Sequence, residues 1–266
     1  MTVSIQSRLS FTCEAPAPVL LQFEVATIAA QEILESETQL RPEALCNRVP
    51  AQDGIGERIW INAAGRVDVE YRAKVALTRS QPPLDECVAL QPYTLPGDAV
   101  PYLLDSRYCR ADDFQSLVAS EFEGTTGGAR IAAIRNWISD HFDYVPGVSD
   151  ASTDATDSFI ARQGICRDYA HVLVTLARAS SIPARYVACY APGVTPQDFH
   201  AVAEVFLATP DEPKMGRWHL VDATGMADLA NAAIIGIGRD AADVSFLTSF
   251  GPMTFHSSEV EVSLEA

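Results

Sequence analysis

Residues 67–75 read Val-Asp-Val-Glu-Tyr-Arg-Ala-Lys-Val, with apolar side chains at every odd position and polar ones between them. A period of two puts successive side chains on opposite faces of an extended chain. The segment therefore has to be a strand with one buried and one wet face, the usual state of an antiparallel sheet. Other stretches of the first hundred residues agree. Val3, Ile5, Leu9 and Phe11 fall at odd positions before a proline-rich break at Pro16 and Pro18. Val19–Val25 and Arg58–Asn62 are short and β-prone, with turn signals at Asp53-Gly54-Ile55-Gly56 and at Ala63-Ala64-Gly65. Strands separated by turns, with no long helical pattern, predict a small β-sandwich over residues 1–99. Pro82, Pro83, Pro92, Pro96, Gly97 and Pro101 mark the stretch 81–101 as a linker or domain-edge loop.

The period then changes. Ile131, Ile134, Ile138 and His141 recur at helical spacing within 128–141, with Trp137 widening the face. A second helical pattern covers 166–180, with Tyr169, Val172, Leu173 and Leu176 on one face, and Pro183 prevents its continuation. Three β-like runs follow at Ala184–Tyr190, Ala201–Leu207 and Trp218–Val221. Helices first and neighbouring strands afterwards predict an α+β domain with an antiparallel sheet over residues 100–266.

Composition narrows the function. The chain of 266 residues is 48% hydrophobic and carries a formal charge of -16, from 19 basic and 35 acidic residues. That field repels nucleic-acid phosphates and anionic lipid surfaces and suits a basic substrate or partner. The N-terminus shows no basic region followed by an apolar run, so no signal peptide is expected, and no segment has the apolar length of a membrane span. Cys13, Cys46, Cys87, Cys109, Cys166 and Cys189 are irregularly spaced, without a CxxC pair, which argues against a disulfide framework and a structural zinc. A reducing cytoplasm is the expected compartment.

One cysteine stands in a different setting. In Gly164-Ile165-Cys166-Arg167-Asp168-Tyr169-Ala170-His171, Cys166 opens the second helical pattern. Unpaired N–H groups and the dipole at a helix start favour a thiolate over a thiol, and the thiolate is the nucleophile. Gly164 allows a sharp turn into the helix. A nucleophile of this kind needs a proton acceptor, and the acceptor needs an orienting group. His200 precedes the run Ala201–Leu207, and Asp222 follows the run Trp218–Val221. If these two strands are antiparallel neighbours, the start of one meets the end of the other, and His200 comes to lie beside Asp222. The helix that begins at Cys166 then packs across that end of the sheet.

These pieces, taken with Ile182-Pro183-Ala184-Arg185-Tyr186-Val187, Phe199-His200-Ala201, Val221-Asp222-Ala223-Thr224 and the stretch Gly238–Val244, resemble the transglutaminase-like superfamily, in particular its bacterial cysteine-protease branch. The resemblance covers roughly residues 100–256. It implies a papain-like α+β core with catalytic Cys166, His200 and Asp222, and an N-terminal β-domain of the kind often found ahead of it. Val202 and Ala223 depart from the pattern, standing where many relatives carry Trp and Pro.

Oxyanion stabilisation calls for donors near the nucleophile. The main-chain N–H of Cys166 is one, and Tyr144 or Gln163 is a candidate for the second. Arg167, Asp168 and Arg239 are candidates for positioning substrate, with a local ion pair or a loop-ordering network as the structural alternative. His141, His171, His219 and His256 are read as structural, with His219 facing solvent. No HxxxH or HExxH pattern points to a metal, and no cofactor is implied. The expected activity is hydrolysis of an amide in a peptide or protein through a thioester acyl-enzyme. Transfer of the acyl group to an amine, as in a transglutaminase, and a non-catalytic peptide-binding cleft remain the alternatives.

Overall fold

A computed structural model describes residues 1–265. The N-terminal half supplies four strands of a six-stranded antiparallel sheet built on two long strands, β1 (Thr2–Leu21) and β4 (Glu57–Leu77), paired along almost their whole length. One half of this pair is flanked by β2 (Gln31–Arg41) and the other by β3 (Asn47–Pro50). The expected alternation holds: Val67, Val69, Tyr71, Ala73 and Val75 are all buried. The predicted breaks do not end strands. Between Cys13 and Ala17 the register shifts, so Pro16 falls where no ladder bond is needed, and β1 continues through Pro18. Gly65, at φ +69°, takes up the opposing bend in β4. The predicted sandwich is thus a single sheet whose two halves share one apolar cluster, from Val3 and Ile5 to Val19, Leu21 and Ile59.

The second half contains α1 (Gln115–Glu121), α2 (Gly127–His141), β5 (Asp143–Tyr144), α3 (Ala155–Ala161), β6 (Gln163–Gly164) and α4 (Cys166–Ala179). The strands β7 (Ala184–Tyr190), β8 (His200–Thr209), β9 (Glu212–Val221) and β10 (Ala233–Gly238) follow and form an antiparallel sheet in the order β10-β7-β8-β9. The last strands, β11 (Leu247–Ser249) and β12 (Met253–Glu265), return to the N-terminal sheet and pair with β1. The second domain expected over residues 100–266 therefore includes two strands that belong to the other sheet. Their pairing is with residues about 250 positions earlier, a contact no local pattern encodes. The proline-rich stretch lies against the core rather than hanging between domains: Val88 bridges Ala208, and the N–H of Gly128 donates to the Cys87 carbonyl.

Helix α4 is the centre of the C-terminal half. Its apolar face, including Leu173 and Leu176, packs with Ala203, Val205 and Leu207 of β8, each buried leucine contributing about 2 kcal/mol. Its polar side is buried as well, which amphipathic reading does not anticipate. Arg178 is 3% exposed. Its guanidinium donates to the carbonyls of Ala184, Leu104 and Arg239 and to the Ser106 hydroxyl. One side chain thus ties the end of the helix to the start of β7 and to two loops. No helix among the described residues is long and apolar enough to cross a membrane.

Candidate active site

Cys166 is the first residue of α4, with Ile165 extended ahead of it. Asp168 fixes this entry. Its Oδ2 accepts from the Ile165 N–H at 2.9 Å and from the Ser149 hydroxyl at 2.6 Å, the reach-back of a capping residue. Gly164 has a different reason for being glycine than the expected sharp turn. A Cβ there would lie 2.6 Å from the Asp168 Cβ, so any larger residue would displace the cap. Arg167 folds back onto Asp168 at 3.0 Å and onto the Asp150 carbonyl at 2.7 Å. Both residues are committed to holding the start of the helix. Arg239 is committed in the same way, to Asp243 at 2.9 Å, within a loop that Asp240 pins by accepting from the Tyr108 N–H.

The antiparallel pairing of β8 with β9 matches Ala203 with Val221. It brings the start of β8 to the end of β9. His200 Nε2 donates to Asp222 Oδ2 at 3.2 Å, with both side chains almost fully buried. Asp222 also accepts from the Thr224 N–H at 2.8 Å, the Thr224 hydroxyl at 2.7 Å and the Ala227 N–H at 2.9 Å. These bonds fix the carboxylate before it meets the imidazole. Burial works against its charge, yet the bonds from His200, Ala227 and Thr224 outweigh burial and hold it below the usual aspartate range.

His200 is pulled in both directions. Burial disfavours the imidazolium, but Asp222 and Cys166 together outweigh burial and push the ring up to about 9 from 6.5. Its Nδ1 is buried without a hydrogen-bond partner. With Nε2 held by the carboxylate, Nδ1 is the nitrogen left for the sulfur. The Cys166 thiol itself points at the Phe199 carbonyl, with Sγ 3.9 Å away, one residue before His200. Sulfur, imidazole and carboxylate, the three residues predicted from sequence, therefore lie in one place.

Tyr144 joins them. Strand β5 pairs in parallel with β6, setting Tyr144 opposite Gly164, and its ring packs on the cluster of Cys166, Ala170, Tyr186 and Ala201. Burial and the nearby Cys166 push its phenol up to about 12. A neutral hydroxyl is therefore held beside the main-chain N–H that opens α4, and the two donors suit a developing oxyanion. We expect Tyr144→Phe to lower kcat by about 10^2-fold with a small change in KM, read from initial rates. Gln163, the other candidate, is exposed, and its side chain has no hydrogen-bond partner among the described residues.

Two of the other histidines are buried and held by the core. His171 stacks on Tyr108 at 5.1 Å and accepts from the Ala241 N–H, and burial drives it down to about 3. His219 does not face solvent as expected. It is 4% exposed and its Nε2 donates to the Leu207 carbonyl. Trp218 beside it is occupied by the Arg185 guanidinium, 4.0 Å above the ring, so the sheet is covered at this end. All six cysteines are free thiols, and Cys46 alone among them is exposed.

Residues 115–223 match the model of the transglutaminase-like superfamily. The fold is similar to a solved structure from Cytophaga hutchinsonii, named a putative cysteine protease, with TM-score 0.89 at 29% identity, covering 99% of this chain and 90% of that one. Among curated proteins, an uncharacterised Mycobacterium leprae protein is 27% identical over 124 residues, 43% of this chain and 42% of that protein. An uncharacterised Mycobacterium bovis protein is 30% identical over 135 residues, 47% of this chain and 42% of that protein. The chain spans about two fifths of the length of these curated relatives. Residues 115–223 of this chain are thus similar to the transglutaminase-like superfamily, and the whole fold is similar to that of the Cytophaga hutchinsonii structure.

Proposed function

We propose that the protein is a cysteine-dependent amide hydrolase acting on a peptide or protein. The observation that carries the reading is the 3.2 Å bond from His200 Nε2 to Asp222, which leaves Nδ1 for Cys166. In this mechanism His200 takes the thiol proton through Nδ1, and the Cys166 sulfur attacks the substrate carbonyl. The oxyanion forms against the Cys166 N–H and the Tyr144 hydroxyl. The C–N bond then breaks as the imidazolium returns its proton to the leaving amine, giving a thioester on Cys166. Water, deprotonated by His200, adds to the thioester and releases a carboxylic acid and the free thiol. Asp222 stays ionised throughout and holds the ring in one tautomer. The name carried by the Cytophaga hutchinsonii structure supports the same chemistry.

The test is product analysis by mass spectrometry after incubation of a peptide library with the protein, with and without a primary amine such as putrescine. The reading predicts new peptide carboxylates in both samples. Amide products replacing the acids when the amine is present would assign acyl transfer instead, and no product under either condition would leave only a binding cleft.

A further inference from the structure

Beside the nucleophile, the N-terminal sheet reaches into the catalytic half. Asp198 precedes Phe199, whose carbonyl faces the Cys166 sulfur. Asp198 Oδ1 accepts from the Phe199 N–H at 2.8 Å and from the Ser258 hydroxyl of β12 at 3.3 Å. Gln197, next to it, is fastened to β12 through two bonds with the Val262 main chain, each 2.9 Å long. The Phe199 ring stacks on Phe246 at 4.9 Å, and Phe246 meets Phe255 of β12 at 5.9 Å. Phe255 lies opposite Phe11 and Ser258 opposite Leu9, both inward positions of β1. Both thus stand on the face turned towards Asp198, and Phe255 is 41% exposed at the rim. The result is an aromatic ledge with a carboxylate at its end, one residue before the carbonyl that the Cys166 sulfur faces.

The carboxylate has no cationic partner. Among the described residues Asp198 forms no ion pair, and Oδ2 accepts no hydrogen bond. The residue is exposed to solvent, yet the surrounding chain strips enough water from it to raise its carboxyl above the usual range. Its charge is also felt by Tyr144, which touches Cys166. The overall charge of -16 draws cations towards the surface in general, and Asp198 places one negative charge near Tyr144 and Cys166.

Resting on the reading of Cys166 as the nucleophile, the geometry points to Asp198 as a specificity-determining residue that receives the cationic head of a substrate lysine or arginine. The aliphatic stem of that side chain lies along Phe199, Phe246 and Phe255, an environment that favours a cation over an aromatic face as well as apolar contact. The strands β11 and β12 then have a functional reason to return to the N-terminal sheet, because β12 supplies one wall of the subsite.

Two measurements test this, and the first needs no substrate. The second-order rate at Cys166 is read by peptide mapping with a cationic reagent, aminoethyl methanethiosulfonate, and an anionic one, sulfonatoethyl methanethiosulfonate. Asp198→Asn, which keeps the Oδ1 acceptor, lowers the cation-to-anion rate ratio by about fivefold, and Asp198→Glu restores most of it. The second compares peptidyl coumarin amides that differ only in arginine against its neutral isostere citrulline. Wild type prefers arginine in kcat/KM and Asp198→Asn loses the preference by a similar factor, with the citrulline substrate unaffected. An unchanged reagent ratio overturns the assignment of Asp198. So does a loss of activity towards both substrates alike, which marks a structural residue. A reagent ratio that falls as stated while neither amide is hydrolysed locates the failure in the proposed hydrolysis, not in Asp198.

Discussion

Cys166→Ala should lower amide turnover by at least about 10^4-fold while leaving the far-ultraviolet circular dichroism and the thermal transition close to those of wild type. Both halves of this expectation come from the structure. The side chain is small and lies at the start of α4, where it packs among Ala170, Tyr186 and Ala201 and makes a weak hydrogen bond to the Phe199 carbonyl. The bonds that shape the entry to the helix belong to Asp168, not to the thiol. Removing the sulfur therefore removes the nucleophile and little else. His200→Ala should lower turnover to a similar extent, and the double variant should be little worse than either single one, because a nucleophile and its base act as one unit. Rates that multiply across the two variants would mean that the residues act independently and would contradict a shared proton.

The second large effect is at Asp222. Asp222→Ala should reduce kcat/KM by about 10^2- to 10^4-fold. It removes the acceptor that orients Nε2 and the charge that stabilises the imidazolium. Asp222→Asn removes the charge and turns one of the two acceptor oxygens into a donor while keeping the other, so it should recover part of the activity, and its pH profile separates the loss of charge from the loss of orientation. In wild type His200 is raised to about 9 against an ordinary 6.5, despite burial, by Asp222 and Cys166. The imidazolium needed to protonate the leaving amine therefore persists up to that pH, and the alkaline limb of kcat/KM should lie near 9. In Asp222→Asn the limb should move to lower pH, because burial is less opposed. Folding stability follows the same linkage. The contribution of His200 is complete below 6.5 and is lost as pH rises through about 9. That of Asp222, whose carboxyl is held low, is present above its ordinary 3.8 and is lost as the medium is acidified. An alkaline limb that stays in place in Asp222→Asn would show that another group sets it.

The parts of this site legible in the sequence are those with short-range causes. A cysteine after a glycine at the start of a helical repeat, and two strands joined by a short connection, were enough to place Cys166, His200 and Asp222 together. The register of β8 and β9 supplied the rest. Burial on all sides of α4 was not legible. Asp168, His171 and Arg178 look like a solvent-facing stripe until the loops that cover them are known. His219 departs from its sequence pattern for a related reason. Alternation with Trp218 and Leu220 suggests an outward side chain, but its hydrogen bond to Leu207 and its burial place it in the core. Asp198 gave no signal at all, since its setting depends on β12, which reaches it from the far end of the chain.

The proposed mechanism is tested most directly by trapping the intermediate. Wild-type protein mixed with an acyl p-nitrophenyl ester and quenched in acid within the first turnover should carry the acyl mass on the proteolytic peptide containing Cys166, and His200→Ala should carry none there. Finding the acyl group on Cys46 or another residue instead, with wild-type and Cys166→Ala proteins hydrolysing the ester equally fast, would contradict the account.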